Sequence, residues 1–413
     1  MHAGGRSVLR PAKTPDGQQA WREVFQSSPA SLAQFSDEEF RDYAKRSGLP
    51  EAYAEQLRAK PVSGTLRFRF VIFDLGTKLR LRVSNEVGTE PLVIAAASAS
   101  LGGSPFQGPR GAIKRVTFGG EAGVTIPAGA PVVSDPIDLA PDSNVELVVS
   151  LCLPNAIFVG GFGKIPLEVA PGDQTMVEHL QDSRSLVVRP LVTGISMLTS
   201  PSHRVIGMLG DSLTDSNCSQ GQSWPEHLHR RLAARTGGPS FSIANAGIGG
   251  NRLLAPGSEP EMGIAGLARL DRDILRVDGL SHLIVFEGIN DIGLSGQTVY
   301  GDNPAVSAED VIASYRQIIS RARPRDVKVA IATLPPFAGS AHDSPVKEAT
   351  RQAVNQWIRA SGEPDAAIDF DAMLRDPANP LQLRSEYDMG DHLHANAAGC
   401  EAMADGIDLT IFD

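Results

Sequence analysis

The feature that most constrains how this chain folds is the segment 205–215, with the sequence VIGMLGDSLTD. An apolar run of this length, bounded by glycine, is typical of a buried parallel β-strand. Gly210 lets the backbone bend where a side chain would clash, and Ser212 follows the bend at the start of a predicted helix. There its hydroxyl would project from the carboxyl edge of the sheet, which favours a role as nucleophile. The alternative is that Ser212 only caps the helix.

Strands and helices alternate from residue 203 to residue 413. Strands are predicted at 204–209, 240–245, 282–287, 327–333 and 366–370, and helices at 224–234, 264–275, 308–322, 347–360 and 396–407. This alternation indicates a parallel sheet with helices on both faces, and Ser307 is a good N-cap for one of the helices. Open sheets of this kind bind ligands beyond the carboxyl ends of their strands, where Ser212 lies.

The preceding region, from about residue 62 to 195, follows the period of two that is typical of β-strands. Leu66, Phe68 and Phe70 alternate with Arg67 and Arg69, and further short apolar runs are separated by glycine and proline turns. Many short strands without a helical stretch predict a β-sandwich of the jelly-roll type. We assign this accessory domain to residues 61–197 and the α/β domain to residues 198–413. The sandwich could bind a glycan or shield one edge of the site.

Residues 1–60 are predicted to form a helical extension. Ser36 and Glu39 have the spacing of a capping box, and a second short helix is expected at 51–60. This segment carries no recognisable chemistry, so we expect it to pack against a neighbouring domain.

Length and charge limit the partners of the chain. With 413 residues, two domains and an appendage are expected. The formal net charge of −10 argues against nucleic acid or an anionic lipid as partner. No segment approaches the roughly 18 consecutive apolar residues of a membrane span.

No signal peptide is visible, so a cytoplasmic location is predicted, although a signal removed beforehand would leave a periplasmic or secreted location open. The oligomeric state stays open.

The spacing of histidine, cysteine and glutamate suggests no metal site, so neither a metal nor another cofactor is expected. Cys152, Cys218 and Cys400 are an odd number and imply no disulfide framework.

Three other polar segments are expected at the same edge of the sheet as Ser212. The predicted strand ending at Asn245 runs into the glycine-rich loop AGIGGNR, whose backbone can approach a ligand closely. The strand ending at Glu287 runs into GIND, and DHLH at 391–394 precedes the last helix. Each segment alone has the residue composition of an ordinary turn. Together they point to one site at the carboxyl ends of the strands.

These four segments resemble the motifs of the SGNH (GDSL-type) serine hydrolases, in the order in which that family carries them. The matching segments are GDSLTD at 210–215, NAGIGG at 245–250, GIND at 288–291 and DHLH at 391–394. The resemblance covers residues 203–413 and implies a flavodoxin-like three-layer α/β/α fold. LRVSNE at 81–86 and VTIPAG at 124–129 also look like the accessory domain of two-domain bacterial members, several of which are carbohydrate acetylesterases. Where the family often has a proline after its histidine, this chain has Ala395, which is expected to leave that loop less stiff.

Ester hydrolysis needs a nucleophile, a base and donors for the oxyanion. Ser212 would supply the hydroxyl, His394 the base and Asp391 the partner of the other imidazole nitrogen. The Ser212 N–H, the Gly250 N–H and the Asn290 side-chain amide would form the oxyanion hole. The family resemblance assigns the same roles to these positions.

Several neighbouring residues compete for roles in this site. His392 is an alternative to His394 as the base, although its spacing from Asp391 is less favourable. Asp211 is expected to bind turn amides, with contact to substrate as a second role. Arg252 could bind a substrate carboxylate or sugar hydroxyl, or equally form a salt bridge with a nearby acid.

The sequence therefore predicts a carboxylic ester hydrolase that removes short acyl groups, with acetyl on a carbohydrate as the expected substrate. A general short-chain carboxylesterase or a lysophospholipase-type lipase is the alternative, since Leu213, Leu253, Leu254 and Leu393 could line an acyl groove. A more distant alternative is a glycan-binding protein with a vestigial hydrolase domain.

Overall fold

The computed structural model describes residues 19–32, 36–47, 55, 58–72, 76–102, 109–139, 145–161, 163–215, 223–257, 259–297 and 303–413. The strands in these ranges are β1 (Ala20–Gln26), β2 (Lys60–Ile72), β3 (Leu79–Ser84), β4 (Leu92–Ile94), β5 (Ala96–Gly102), β6 (Pro109–Val116), β7 (Val124–Ile126), β8 (Pro131–Val133), β9 (Val145–Val159), β10 (Ile165–Ala170), β11 (Arg184–Val188), β12 (Val192–Thr199), β13 (Arg204–Gly210), β14 (Phe241–Gly247), β15 (Leu280–Phe286), β16 (Lys328–Ala332) and β17 (Ala366–Ile368).

The α-helices in the same ranges are α1 (Asp37–Ser47), α2 (Ser212–Asp215), α3 (Trp224–Ala233), α4 (Gly266–Leu270), α5 (Ile289–Gly293), α6 (Ala308–Ala322), α7 (Pro345–Ala360), α8 (Phe370–Leu374) and α9 (Ala397–Asp405). Directly after α4 the chain forms a π-helix at Asp271–Leu275. The one helix predicted at 264–275 is therefore divided in two. None of the helices in the described ranges is both long enough and apolar enough to cross a membrane.

The C-terminal part contains a five-stranded parallel sheet with the order β14-β13-β15-β16-β17. Numbered along this sheet, the order is 2-1-3-4-5, which is that of flavodoxin-like folds. Such sheets bind ligands at the point where the strand order reverses, which lies here between β13 and β15. Gly210, at the end of β13, pairs with both Gly247 and Phe286, so the loops after β13, β14 and β15 leave the sheet side by side.

Helices cover this sheet in two groups. Helices α3 and α9 contact each other, and α6 contacts both α4 and α7. Since crossovers between parallel strands are right-handed, the two groups lie on opposite faces and complete a three-layer α/β/α domain. One apolar core joins strands and helices, including Leu209, Trp224, Phe286 and Tyr315, which are almost completely buried. The predicted alternation of strands and helices is confirmed.

The N-terminal part is a β-sandwich. A four-stranded sheet has the order β1-β12-β3-β8 and a six-stranded sheet the order β11-β10-β2-β9-β5-β6, both antiparallel. Leu81 and Ile195 of the smaller sheet share one buried core with Phe68 and Leu151 of the larger. The predicted sandwich is therefore confirmed. Arg67, which alternates with apolar residues along β2, is also buried, and it donates hydrogen bonds to Ser150 Oγ and to the carbonyls of Val177 and Glu178.

The N-terminal segment differs from the helical extension that the sequence predicts. Helix α1 is present and its Ser36 and Glu39 exchange the two capping-box hydrogen bonds. Residues 20–26, however, form β1, which pairs antiparallel with β12. The expectation of an all-helical segment is wrong there, because pairing with a strand 170 residues away in sequence has no local signature. Most of the second helix expected at 51–60 lies outside the described residues, and Lys60 already belongs to β2.

Strand β1 also contacts the α/β domain. The carbonyl of Glu23 accepts a hydrogen bond from Ser242 Oγ in β14 at 2.7 Å, and its N–H donates to the Asp278 carbonyl at 3.1 Å. Gln26 Nε2 donates to the carbonyl of Asp273. One segment is therefore part of the sandwich and at the same time bonded to the α/β domain.

Candidate active site

The loop after β13 delivers Ser212 at the first residue of α2. Gly210 has no room for a side chain, because an added Cβ would lie 2.3 Å from Thr214 Oγ1 and 2.8 Å from the Phe286 carbonyl oxygen. Glycine is therefore required by this close approach at the end of β13. Trp224 is buried and its Nε1 donates to the Leu213 carbonyl at 2.9 Å, which holds the turn against α3.

His394 and Asp391 form a hydrogen-bonded relay with Ser212. Ser212 Oγ lies 2.9 Å from His394 Nε2, and His394 Nδ1 lies 2.6 Å from Asp391 Oδ2. A carboxylate beside Nδ1 requires a proton on that nitrogen, so Nε2 is the acceptor that faces the serine hydroxyl. His392, the alternative base, is bonded instead to Asp388 Oδ2 at 2.6 Å and does not contact Ser212.

The loop that carries the relay is held by its own hydrogen bonds. Asp391 Oδ1 accepts from the N–H groups of Leu393 and His394 at 3.0 and 2.9 Å. The His394 carbonyl accepts from Met389 N–H, and Ala395 forms a β-bridge with Asp388. Burial alone would raise the pKa of Asp391, but its hydrogen bond to His394 and the charge there lower the pKa to about 2. Asp391 is thus a carboxylate at neutral pH, and the bridge constrains the position that lacks the family's proline.

The glycine loop and Asn290 meet beside Ser212. Gly250 adopts a φ of +74°, which favours glycine. Asn290 lies in α5, and its Nδ2 donates to the Asn251 carbonyl at 3.0 Å, which leaves the second amide hydrogen for another acceptor. Asp291 accepts hydrogen bonds from the N–H groups of Leu253 and Leu254 and ties α5 to the same loop. Among the described residues, the N–H groups of Ser212 and Gly250 have no protein acceptor.

Arg269 in α4 lies beneath these loops and was not singled out in the sequence. Its side chain is completely buried and donates to the carbonyls of Gly210 and Ala246 and to Asn251 Oδ1. One guanidinium therefore fixes the nucleophile turn and both ends of the glycine loop. The sequence signal was weak, because a single arginine in a helix is usually exposed.

Three buried carboxyl groups lie close to Arg269 or Arg252. Burial raises the pKa of Asp211 to about 7, that of Glu287 to about 8 and that of Asp291 to about 6, with Arg269 or Arg252 acting in the opposite direction. Asp211 Oδ1 accepts the Leu213 N–H at 3.0 Å, as expected of a turn-binding aspartate. At neutral pH the floor of the site therefore carries less negative charge than its composition implies.

Arg252 and Asp211 are both buried against protein. The guanidinium of Arg252 donates to the Pro256 carbonyl and to Asn303 Oδ1, and no face of Asp211 is exposed. These contacts argue against direct binding of substrate by either side chain. They favour a structural role for Arg252, which hydrogen-bonds to neutral groups rather than to an acid, one of the two alternatives that the sequence left open.

His342 is a second residue near the relay that sequence reasoning passed over. It is 8% exposed, packs against Phe337, and its ring leaves no room for a side chain at Gly293. Burial, with smaller effects of Lys347 and His394, lowers the pKa of His342 to about 4, so the ring is neutral at physiological pH. It thus adds bulk without charge next to α5.

In the described ranges, no three histidine, cysteine, aspartate or glutamate side chains are grouped so as to hold a metal ion. Cys152 and Cys400 are both buried, and Cys218 lies outside the described residues.

Residues 208–402 match the model of the GDSL-like lipase/acylhydrolase family. This match, over slightly less than half of the chain, supports a hydrolase that acts on esters. No curated protein matches the chain.

Among solved structures, the chain is similar to an acetylxylan esterase from Geobacillus stearothermophilus, with 17% identity over 49% of this chain and 91% of that one and a TM-score of 0.38. It is also similar to a GDSL-like lipase from Bacteroides thetaiotaomicron, with 17% identity over 51% of this chain and 88% of that one and a TM-score of 0.37.

Proposed function

We propose that the chain is a serine esterase that removes short acyl groups, acetyl above all, from carbohydrate esters. The observation that carries the proposal is the relay from Ser212 Oγ through His394 to Asp391, with distances of 2.9 and 2.6 Å. Both contacts are within hydrogen-bonding range, and no rearrangement is needed to transfer the serine proton.

In the proposed reaction, Ser212 Oγ attacks the ester carbonyl and His394 Nε2 takes its proton. The tetrahedral intermediate collapses, and the imidazolium gives that proton to the leaving alcohol. Water then attacks the acyl-enzyme, again through His394, and releases the carboxylic acid and free Ser212. Asp391 keeps the proton on Nδ1 and stabilises the imidazolium, for which its low pKa makes it suitable.

The oxyanion would be bound by the N–H groups of Ser212 and Gly250 and by the second amide hydrogen of Asn290. The positive φ of Gly250 and the hydrogen bond between Asn290 and the Asn251 carbonyl support this assignment, since both fix the donors before substrate arrives.

The acetyl-carbohydrate part rests on the two-part architecture. The sequence resembles two-domain bacterial carbohydrate acetylesterases, and the β-sandwich supplies the second part. We propose the boundaries 61–197 for the sandwich, to which β1 adds one strand, and 198–413 for the α/β domain. Leu253, one candidate for an acyl groove, is completely buried, whereas Leu254 is 37% exposed. A continuous apolar groove for a long acyl chain is therefore not favoured by these residues.

The first test is hydrolysis of p-nitrophenyl esters from acetate to palmitate, with acetylated xylan oligosaccharides assayed in parallel. We expect turnover of acetate and of the acetylated glycan that is lost in Ser212→Ala. His394→Gln should also be inactive, while His392→Gln is the matched control and should keep most of the activity, because His392 bonds to Asp388.

Other outcomes would change the proposed substrate class or the proposed function. A preference for octanoate and longer chains would favour the lipase alternative, and activity on acetate without activity on glycans would favour a general carboxylesterase. Absence of any Ser212-dependent hydrolysis would refute the enzyme proposal and leave glycan binding by the sandwich as the function to test.

A further inference from the structure

We propose that Arg189, in the β-sandwich, is a positioning residue for the nucleophile turn and the glycine loop of the α/β domain. The inference rests on the proposed function, because it concerns how Ser212 and Gly250 are held for catalysis. It makes the sandwich part of the catalytic apparatus.

The contact point is Asp215, the last residue of α2 and three residues after Ser212. Its Oδ2 accepts the Gly249 N–H at 3.1 Å, so one carboxylate oxygen joins the nucleophile helix to the residue before Gly250. The two segments also pack tightly, since a Cβ on Gly247 would lie 2.5 Å from the Asp215 nitrogen. A displacement of α2 would therefore be transmitted to the glycine loop.

Arg189 supplies the second bond to that oxygen. It lies between β11 and β12, and its Nη2 donates to Asp215 Oδ2 at 2.6 Å. The side chains of Arg189 and Asp215 are only 6% and 11% exposed. Arg189 Nη1 also donates to the Ser28 carbonyl at 3.1 Å, just beyond β1. A charge-assisted bond in so sheltered a place is strong and directional.

The same interface contains an ion pair that serves as a control. Arg80 of β3 pairs with Asp278, which precedes β15 and so lies at the amino ends of the parallel strands, away from Ser212. Arg80 and Arg189 both connect the sandwich to the α/β domain, but only Arg189 reaches the catalytic edge. If connecting the two parts were the whole role of Arg189, the two arginines would behave alike.

The test compares Arg189→Met and Arg80→Met with the full-length wild-type protein. Arg189→Met should lower kcat for p-nitrophenyl acetate on the order of 10- to 100-fold with little change in KM, because small displacements of reacting groups are costly. Arg80→Met should leave both constants near wild type. Arg189→Lys, which keeps a cation beside Asp215, should restore part of kcat.

A second measurement does not depend on turnover. Amide hydrogen exchange should become faster in peptides covering 209–215 and 246–252 in Arg189→Met but not in Arg80→Met. If wild type hydrolyses no ester yet this difference is found, the proposed function fails and the positioning role stands. An unchanged kcat, or equal changes in kcat and in exchange for both variants, overturns the positioning role even in an active esterase.

Discussion

Replacing Glu287 with glutamine should change how the stability of the protein depends on pH. Glu287 directly follows β15, is completely buried, and its nearest cation is Arg269 at 3.5 Å. Burial, opposed by Arg269 and reinforced by Asp211 and Asp291, raises the pKa of Glu287 from 4.5 to about 8. In the unfolded chain this carboxyl group has its ordinary pKa.

Between these two pKa values the folded protein holds a proton that the unfolded chain has lost. The stabilisation that this proton brings is complete below about pH 4.5 and is lost as the pH rises through about 8. One such group lowers the free energy of unfolding by about 1.4 kcal/mol per pH unit. Glutamine resembles the protonated acid but cannot ionise, so Glu287→Gln should remove this contribution to the slope.

The assay is urea unfolding of wild type and variant at pH 5.5, 6.5 and 7.5. Relative to wild type, Glu287→Gln should gain about 3 kcal/mol in free energy of unfolding over this range. Glu401→Gln, at an exposed position in α9, is the control and should run parallel to wild type. A constant difference between Glu287→Gln and wild type at all three pH values would refute the reasoning.

Three further predictions follow from single contacts. Asp391→Asn should lower kcat on the order of 10⁴-fold, because the carboxylate that fixes the imidazole tautomer is gone; steady-state kinetics measure the change, and a loss below tenfold would contradict the relay. Asn290→Ala should lower kcat by about 10²–10³-fold without a similar change in KM, as expected for a donor that acts in the transition state; an effect on KM alone would remove Asn290 from the oxyanion hole. Ser307→Ala should cost about 1 kcal/mol in unfolding free energy and leave kcat unchanged, since Ser307 and Asp310 form a capping box at α6; urea titration and steady-state kinetics measure the two quantities, and an unchanged free energy of unfolding would contradict the role of the cap.

Much of the α/β domain could be predicted because its signals are local. The buried strands are continuous apolar runs, and the helix at 308–322 has both a capping serine and an amphipathic pattern. The polar segments after β13, β14 and β15 are consecutive with their strands, so sequence order alone placed Ser212, Gly250 and Asn290 at one edge. The roles of these residues stay predictions.

The contacts that support the site could not be predicted in this way. Arg269 bonds to Gly210, Ala246 and Asn251, and Arg189 bonds to Asp215, across distances in sequence that no periodicity records. β1 was missed for the same reason, since it contains Glu23, a charged residue that is buried with its carboxylate bound by Arg82 and Ser196. From the sequence alone, polar side chains of this kind are predicted to be exposed, because their buried partners are not known.

Because β1 is bonded to both the sandwich and the α/β domain, the α/β domain is not an independent structural unit. A gene fragment that begins after the sandwich would lack the Glu23 carbonyl that accepts the hydrogen bond of Ser242 and the Arg189 guanidinium that donates to Asp215, and both side chains would be exposed to water. Transplanting a different accessory domain onto this hydrolase would meet the same obstacle, because the junction is a shared surface rather than a linker. Exchange of the accessory domain during evolution would therefore require substitutions on both sides of the interface between the two domains.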